Sequence, residues 1–514
     1  MKIVIAVIYS ISLFGSTMDV HASANGCAGE RLAAGRSHST VVTGDGSVLA
    51  WGLNADGQLG NGSTATRTTP TSVASAAVAV AAGQAHTLRL DTSGSLWAVG
   101  RNSTSQLGFD TNGQDSTLWG KVGDGFAMIA AGQFHSIALK DDGTLWAWGS
   151  NGRGQIGNGT NDTQPVPLLV GAGYMAIAAG HDHTVALKND GGLWAWGGNS
   201  WGQLGDDSTD SRLVPTFIGN DYTAIAGGAL HTIALKSDGS LWAWGNNAYG
   251  QLGDGTFTTR KTPTQIGTGY TALASGDFHA VALKADGSLW AWGDNSFGQL
   301  GDNSITTSPA PKKIGDGFVA FAAGESHTIA VKSDGSLWAW GDNTYGQVGN
   351  GSATFQPTPT QIIATGMSTT CQTTQPASYR SVIYKHSSKC QDVRGADNTQ
   401  GAEVIQWPCH GGDNQKLQLV DKGNGYYSLA YKHSGLCTDV FGGGTGAGEK
   451  VIQWPCHGGD NQLFTLEDKG GGYFSFRYKH SGQCIDVFGG GIDDAANVIQ
   501  WPCHGGDNQL FRFE

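Results

Sequence analysis

Charge is scarce in this chain. Only 14% of its 514 residues are Asp, Glu, Lys or Arg, and the formal net charge is −12. Phosphate backbones are held by basic surfaces, so nucleic acid is excluded as an expected partner. Proline is modest at 13 residues, and the 81 glycines follow no G-X-Y period, which excludes a collagen-like rod. No apolar run is long enough to span a bilayer, so no membrane insertion is expected. The eight cysteines contain no C-x-x-C cluster, which removes the usual thiolate zinc sites. G-x-S-x-G and H-E-x-x-H are also missing. No metal, no cofactor and no catalytic residue is expected. The Gly-x-x-His stretches precede no helix, so they are not phosphate loops.

What is present in excess is tryptophan, at 17 residues, alongside the glycine. That mix suits many short strands with tight turns, an all-β chain. The first residues read MKIVIAVIYSISLFGSTMDVHASA. One lysine, a short apolar stretch and Ala22-Ser23-Ala24 make residues 1–24 a secretory signal peptide. The protein is therefore expected to be secreted, extracellular or periplasmic, and to meet oxidising conditions. Six cysteines fall as Cys390/Cys409, Cys437/Cys456 and Cys484/Cys503, each pair 19 apart. Three local disulfides are expected.

Two repeats organise the rest. From about residue 30 to 365 a unit recurs seven times. One copy reads YTAIAGGALHTIALKSDGSLWAWGNNAYGQLGDGTFTTRKTPTQIG. Its marker histidines are His38, His86, His135, His183, His231, His279 and His327. Alternation in TIALK and LWAW, joined by a two-residue Asp-Gly turn, gives four strands per copy, A to D. Seven such sheets set radially make a β-propeller over 25–365. The histidines occur in every blade, so a structural role is expected, bonding backbone near the inner strand. Trp242 and Trp244, two apart, share one face and fill the gap to the next blade. Cys27 and Cys371 flank the ring and are expected to pair at its seam.

Residues 366–378 read as a Thr/Ser/Gln linker. After it, over 379–514, a second unit occurs three times at a spacing of 47. Its stretch VIQWPCHGGDNQ is identical at 404–415, 451–462 and 498–509. Holding a sugar takes an aromatic plate for the ring's apolar face and fixed polar groups for its hydroxyls. Each copy offers both. The sets are Asp392, Trp407, His410, Asn414, Gln415; Asp439, Trp454, His457, Asn461, Gln462; and Asp486, Trp501, His504, Asn508, Gln509. Frozen duplication alone does not explain the identity, because the loops RGADNTQGAE, FGGGTGAGEK and FGGGIDDAAN have diverged.

The A-A-G-x-x-H-[ST]-x-A-L-K-x-D-G-x-L-W-A-W-G-x-N-x-x-G-Q-L-G pattern resembles the regulator of chromosome condensation repeat. In particular it resembles the secreted bacterial branch of that family, with its propeller-type β-lactamase inhibitory protein. The second copy departs, with Val99 and Ser105 at signature positions. Cys-x-Asp-Val, Q-W-P-C and D-N-Q-L-F resemble the ricin B-type β-trefoil lectins. That resemblance implies roles. The Asp accepts from sugar hydroxyls, the Trp stacks on the ring, the Asn bonds a hydroxyl and the Gln braces the Asp, with His an extra contact. Galactose-type and xylose-type glycans both fit. Leu417, Phe464 and Phe511 replace the family's usual Trp at core positions.

The variable letters lie on the A–B and C–D loops of one propeller face. Phe134, Asp182, Trp201, Tyr249, Phe278, Phe297 and Tyr345 form an aromatic-rich arc there, with Leu230 and Glu325 at neighbouring positions. Such an arc resembles a protein-binding hot spot. The expected function is a secreted carbohydrate-binding protein whose propeller grips a protein. The alternatives are a proteinaceous enzyme inhibitor and a glycoside hydrolase, for which Asp182, Asp277 and Glu325 would be the acids.

Overall fold

The computed structural model describes residues 31–367, 379–422, 426–470 and 472–514. The expected leader at 1–24, nearly all of the linker and the Cys27–Cys371 bridge lie outside the described residues. Among the described residues there is no α-helix.

Seven four-stranded antiparallel sheets come first, each made of four consecutive strands. In blade 5 these are Tyr222–Gly227, His231–Lys236, Leu241–Gly245 and Arg260–Gly267. His231–Lys236 is buried up to its last residue, because both of its faces pack inside the blade ring. Arg260–Gly267 is half exposed throughout, as befits an outer strand.

The B–C turn differs from the two-residue turn expected. The Gly239 N–H bonds the Lys236 carbonyl at 3.0 Å, and the Lys236 N–H bonds Ser240 at 3.0 Å. Three residues therefore form the loop, with Gly239 at φ +75°. This is a type I turn closed by a glycine bulge. Asp238 fixes it by accepting from the Ser240 backbone and hydroxyl, at 2.9 and 2.5 Å.

The marker histidines are fully buried and do not bond backbone as expected. Each ring Nε2 meets a hydroxyl of the following blade. His38 reaches Thr87 at 2.9 Å, His135 reaches Thr184 at 3.1 Å, and His327 closes the ring on Ser39 at 2.9 Å. In six of the seven cases the hydroxyl in turn donates to the glutamine carbonyl of the Gln-Leu-Gly stretch or its equivalent, as Thr87 does to Gln58 at 2.7 Å; Ser275 donates to the Gly276 carbonyl at 3.2 Å. A hydroxyl that donates there must accept from histidine, so Nε2 carries the proton. Burial holds the imidazoles down, to about 4 for His38, His135 and His279 and about 3 for His86, His183, His231 and His327. Neutral rings in a dry girdle follow from that.

Blade 6 has Ala280 where the hydroxyl should be. Ser275 supplies it instead, 2.9 Å from His231. The signature tryptophan fills the gap to the preceding blade rather than the next. Trp244 is fully buried, and its indole N–H bonds the Gln203 carbonyl at 3.0 Å. Trp51 does the same to Gln347 across the seam at 2.8 Å. Blade 2 lacks that tryptophan, and Trp119 from its outer strand takes the place against Gly60.

The last twelve strands form one sheet arranged as a trefoil of three lobes. Its first and last strands pair, Val382 opposite Phe513. Leu417, Phe464 and Phe511 are fully buried, as core positions should be, and Phe476 stacks on Phe511 at 3.7 Å. Each lobe contributes one hairpin: Cys390–Val393 with Val404–Trp407, Cys437–Val440 with Val451–Trp454, and Cys484–Val487 with Val498–Trp501.

Candidate functional site

The hairpins place the repeated residues together. In lobe 2, Cys437 opposes Trp454 and Asp439 opposes Ile452. The Cys437–Cys456 disulfide ties the Asp strand to the segment after the Trp. Cys390–Cys409 and Cys484–Cys503 do the same in lobes 1 and 3, as the 19-residue spacing predicts.

Around each buried aspartate the polar residues form one closed set. The Gln462 amide donates to one Asp439 oxygen at 2.8 Å, and Asn461 donates to the other at 2.8 Å. In lobe 1 Gln415 and Asn414 reach Asp392 at 2.6 and 2.7 Å. In lobe 3 Gln509 and Asn508 reach Asp486 at 2.7 and 2.8 Å. The glutamine carbonyls are also committed: Gln462 accepts the His457 N–H at 2.9 Å. The glutamines are buried and brace the aspartates, the role the resemblance implies. The asparagines bond the aspartates as well.

The histidines belong to the same set. The Gly459 N–H donates to His457 Nδ1 at 3.0 Å, so the neutral ring carries its proton on Nε2. That nitrogen lies 3.2 Å from Asp439. His410 and His504 stand 3.3 and 3.1 Å from Asp392 and Asp486. Burial outweighs the surrounding donors and holds the Asp439 and Asp486 carboxyls above the usual carboxylate range. Beside these acids the tryptophans face out, Trp407 at 38% and Trp501 at 40% exposure.

Sequence reasoning missed one wall of this site. In lobes 2 and 3, Phe441 and Phe488 follow the Asp-Val pair and are exposed. Each lines, with Trp454 or Trp501, a pocket of about 410 or 380 Å³ that also contains the Asp, His and Asn. Lobe 1 has Arg394 there, bonded to Glu403 at 3.1 Å and Asn497 at 2.9 Å. The signal was an aromatic directly after Cys-x-Asp-Val, inside the loops that differ between copies.

On the propeller, Trp201, Tyr249, Phe297 and Tyr345 are exposed by 43–45%. Their backbones are pinned: the glutamine two places on accepts each N–H at 2.9 Å. Phe134, Asp182 and Phe278 are only partly exposed. Phe278 packs against Tyr249 with ring centres 5.1 Å apart, and Arg101 lies over Phe134. Among the described residues no other ring pair joins the arc, so the exposed rings stand as separate posts.

A repeat propeller followed by a disulfide-braced trefoil is the class these features define. A family model described as RCC1-like domain matches residues 78–375, more than half of the chain, and the chain belongs to that family. Models of the regulator of chromosome condensation repeat match 45–90 and 31–58. A model of the ricin-type beta-trefoil lectin domain matches 378–511. Among solved structures the chain is similar to Prp20p of Saccharomyces cerevisiae, studied with its binding to Gsp1p and histones. The identity is 25%, over 62% of this chain and 87% of that one, with a TM-score of 0.58. It is also similar to human WBSCR16, at 25% identity over 58% of this chain and 85% of that one, with a TM-score of 0.53. The designed three-fold symmetric protein ThreeFoil is 46% identical over 26% of this chain and 96% of its own, with a TM-score of 0.26. A comparison with curated proteins found no match.

Proposed function

We propose that the chain is a secreted, non-catalytic carbohydrate-binding protein. Its trefoil holds galactose-type or xylose-type glycans at up to three sites, and its propeller docks a protein. The observation that carries this reading is the repeated pairing of an outward tryptophan with a buried, fully braced aspartate. The indole takes the apolar face of a sugar ring. The aspartate keeps one acceptor site for a hydroxyl, on the oxygen that Asn holds, and its Gln, Asn and His partners fix it before the ligand arrives. The family match to ricin-type lectin domains supports the same reading. Three disulfides suit an oxidising compartment.

Single sites of this size bind sugar at about millimolar Kd, near −4 kcal/mol. Three on one surface raise apparent affinity by roughly 10²–10⁴. For the propeller, pinned aromatics lose little entropy when a partner covers them. The similarity to Prp20p, a propeller studied for its protein binding, supports a protein partner. The test is a glycan array probed with the full chain, with and without a chelator. Retention on galactose- or xylose-terminated glycans, unchanged by chelation, is expected because the site has no oxygen cage for calcium. Retention on no glycan refutes the reading.

A further inference from the structure

Two places before each girdle histidine stands a residue that varies between blades. Six of the seven are polar: Arg36, Gln84, Gln133, His181, Asp277 and Glu325. They line the mouth of a cavity of about 360 Å³ on the propeller axis. The turn itself does not need these side chains. In every blade the turn is closed by a glycine N–H donating to the histidine carbonyl, as Gly180 does to His183 at 2.9 Å. Polar side chains that the turn does not require, converging on a cavity, are the usual mark of a binding site.

The mouth is polarised. His181 reaches across blade 5, where Ala229 leaves room, to Asp277 at 2.9 Å. Arg36 pairs with Glu325 at 2.6 Å. Asp277 and Glu325 are in adjacent blades, and their cations come from the outer flanks. The Asp277 side chain is 20% exposed and that of Glu325 30%. Burial, together with the neighbouring Asp277 charge, holds the Glu325 carboxyl above its usual range. Burial draws His181 down, but Asp277, with Asp182 and Glu325 behind it, together more than offset this and hold the imidazole above its ordinary value. On the other side of the mouth the Gln84 carbonyl oxygen is buried without a hydrogen-bond partner. Each carboxylate makes one ion pair here and keeps further acceptor sites, so with Gln84 the uncommitted capacity is for accepting hydrogen bonds. The cavity shares its Ala34, Ala82 and Ala131 walls with an apolar stretch of about 200 Å³. Val80, Met128, Ile177 and Ile225 line that stretch.

We infer that the axial mouth is a binding site for an aliphatic primary amine, with the ammonium against Asp277 and Glu325 and the hydrocarbon chain in the apolar stretch. An ammonium supplies three donors and relieves the repulsion between two adjacent carboxylates. Its hydrogen bonds to them are charge-assisted. An anion would have to displace Glu325 from Arg36 and then face both carboxylates. No group of His, Cys, Asp or Glu among the described residues is placed to hold a metal ion. A lysine of a protein partner carries the same ammonium, but its chain would enter from outside and leave the apolar stretch empty.

The test is calorimetric titration of the full chain with n-hexylamine, n-hexanol and hexanoate at pH 7.5. The amine binds, the alcohol binds at least about tenfold more weakly, and hexanoate gives no heat. Asp277→Asn and Glu325→Gln each weaken the amine by about tenfold and leave hexanol unchanged. Both keep the wild-type thermal transition and glycan retention. A lysine tetrapeptide and its Nε-acetyl form separate the two sources. Binding of hexylamine alone assigns a free amine. Binding of the unacetylated peptide alone keeps the ammonium site but assigns it to a partner's lysine. Failure of both to bind overturns the inference, as does equal amine affinity in the two variants or hexanoate binding as tightly as the amine.

Discussion

Removing one hydroxyl from blade 6 should reveal what the histidine girdle contributes. Ser275→Ala takes away the acceptor that His231 Nε2 uses at 2.9 Å. Ala280 stands where the other blades carry the hydroxyl, so nothing replaces it. His231 is fully buried, and water cannot compensate. The cost is that of an orphaned buried donor, about 1–3 kcal/mol. For a unit of this size, about 2 kcal/mol lowers the propeller's thermal midpoint by about 2–4 °C. The second variant makes the test specific. Ala280→Thr added to Ser275→Ala restores the arrangement of blade 4, where Thr184 accepts from His135 and donates to the Gln155 carbonyl at 2.8 Å. The double variant should recover most of the lost midpoint, read by tryptophan fluorescence. A single variant as stable as wild type, or a double variant no better than the single, refutes the assignment of the histidines to a hydroxyl relay.

Acid should unfold the propeller through the same seven histidines. Their folded pKa values of about 3–4 lie below the ordinary 6.5, so the unfolded chain binds more protons below pH 6.5. Their stabilisation is complete above about pH 6.5 and is lost as pH falls toward about 4; a stability flat over that window, by denaturant titration, contradicts it. Trp201→Ala, Tyr249→Ala and Phe297→Ala together should abolish capture of the propeller's protein partner and leave glycan retention intact, measured on one sample by pull-down and glycan column. Replacing Cys437 and Cys456 by Ser opens a loop of 19 residues and should cost the trefoil about 3 kcal/mol, seen as a lower thermal midpoint.

Much of this was legible in the letters because repetition multiplies weak signals. Seven copies of one unit fix the blade, and VIQWPCHGGDNQ carries Trp, His, Asn and Gln of each lobe at constant spacing from the Asp. What escaped depends on contacts far apart in sequence. The histidine's partner lies 49 residues on in blades such as the first, and the pattern offers only a Ser or Thr after each His. Ser275 and Trp119 are substitutes supplied from other strands of their blades, so no register within the repeat points to them. Phe441 and Phe488 sit in the loops that differ between lobes, outside the identical stretch. The B–C turn has three residues where two are expected, because Asp-Gly fits both a two-residue turn and a three-residue one. The Ser237 that completes the longer loop is decided by the pairing of Lys236 with Ser240.

The braced aspartates are the proposed sugar sites. Calorimetric titration of the full chain with a monovalent sugar chosen from the glycan array tests it most directly, comparing wild type with Asp392→Ala, Asp439→Ala and Asp486→Ala, singly and together. Each substitution at a working site should remove one site from the stoichiometry without changing the affinity of the others. The triple variant, still folded by circular dichroism, should bind no sugar. A folded triple variant that retains wild-type stoichiometry would contradict it.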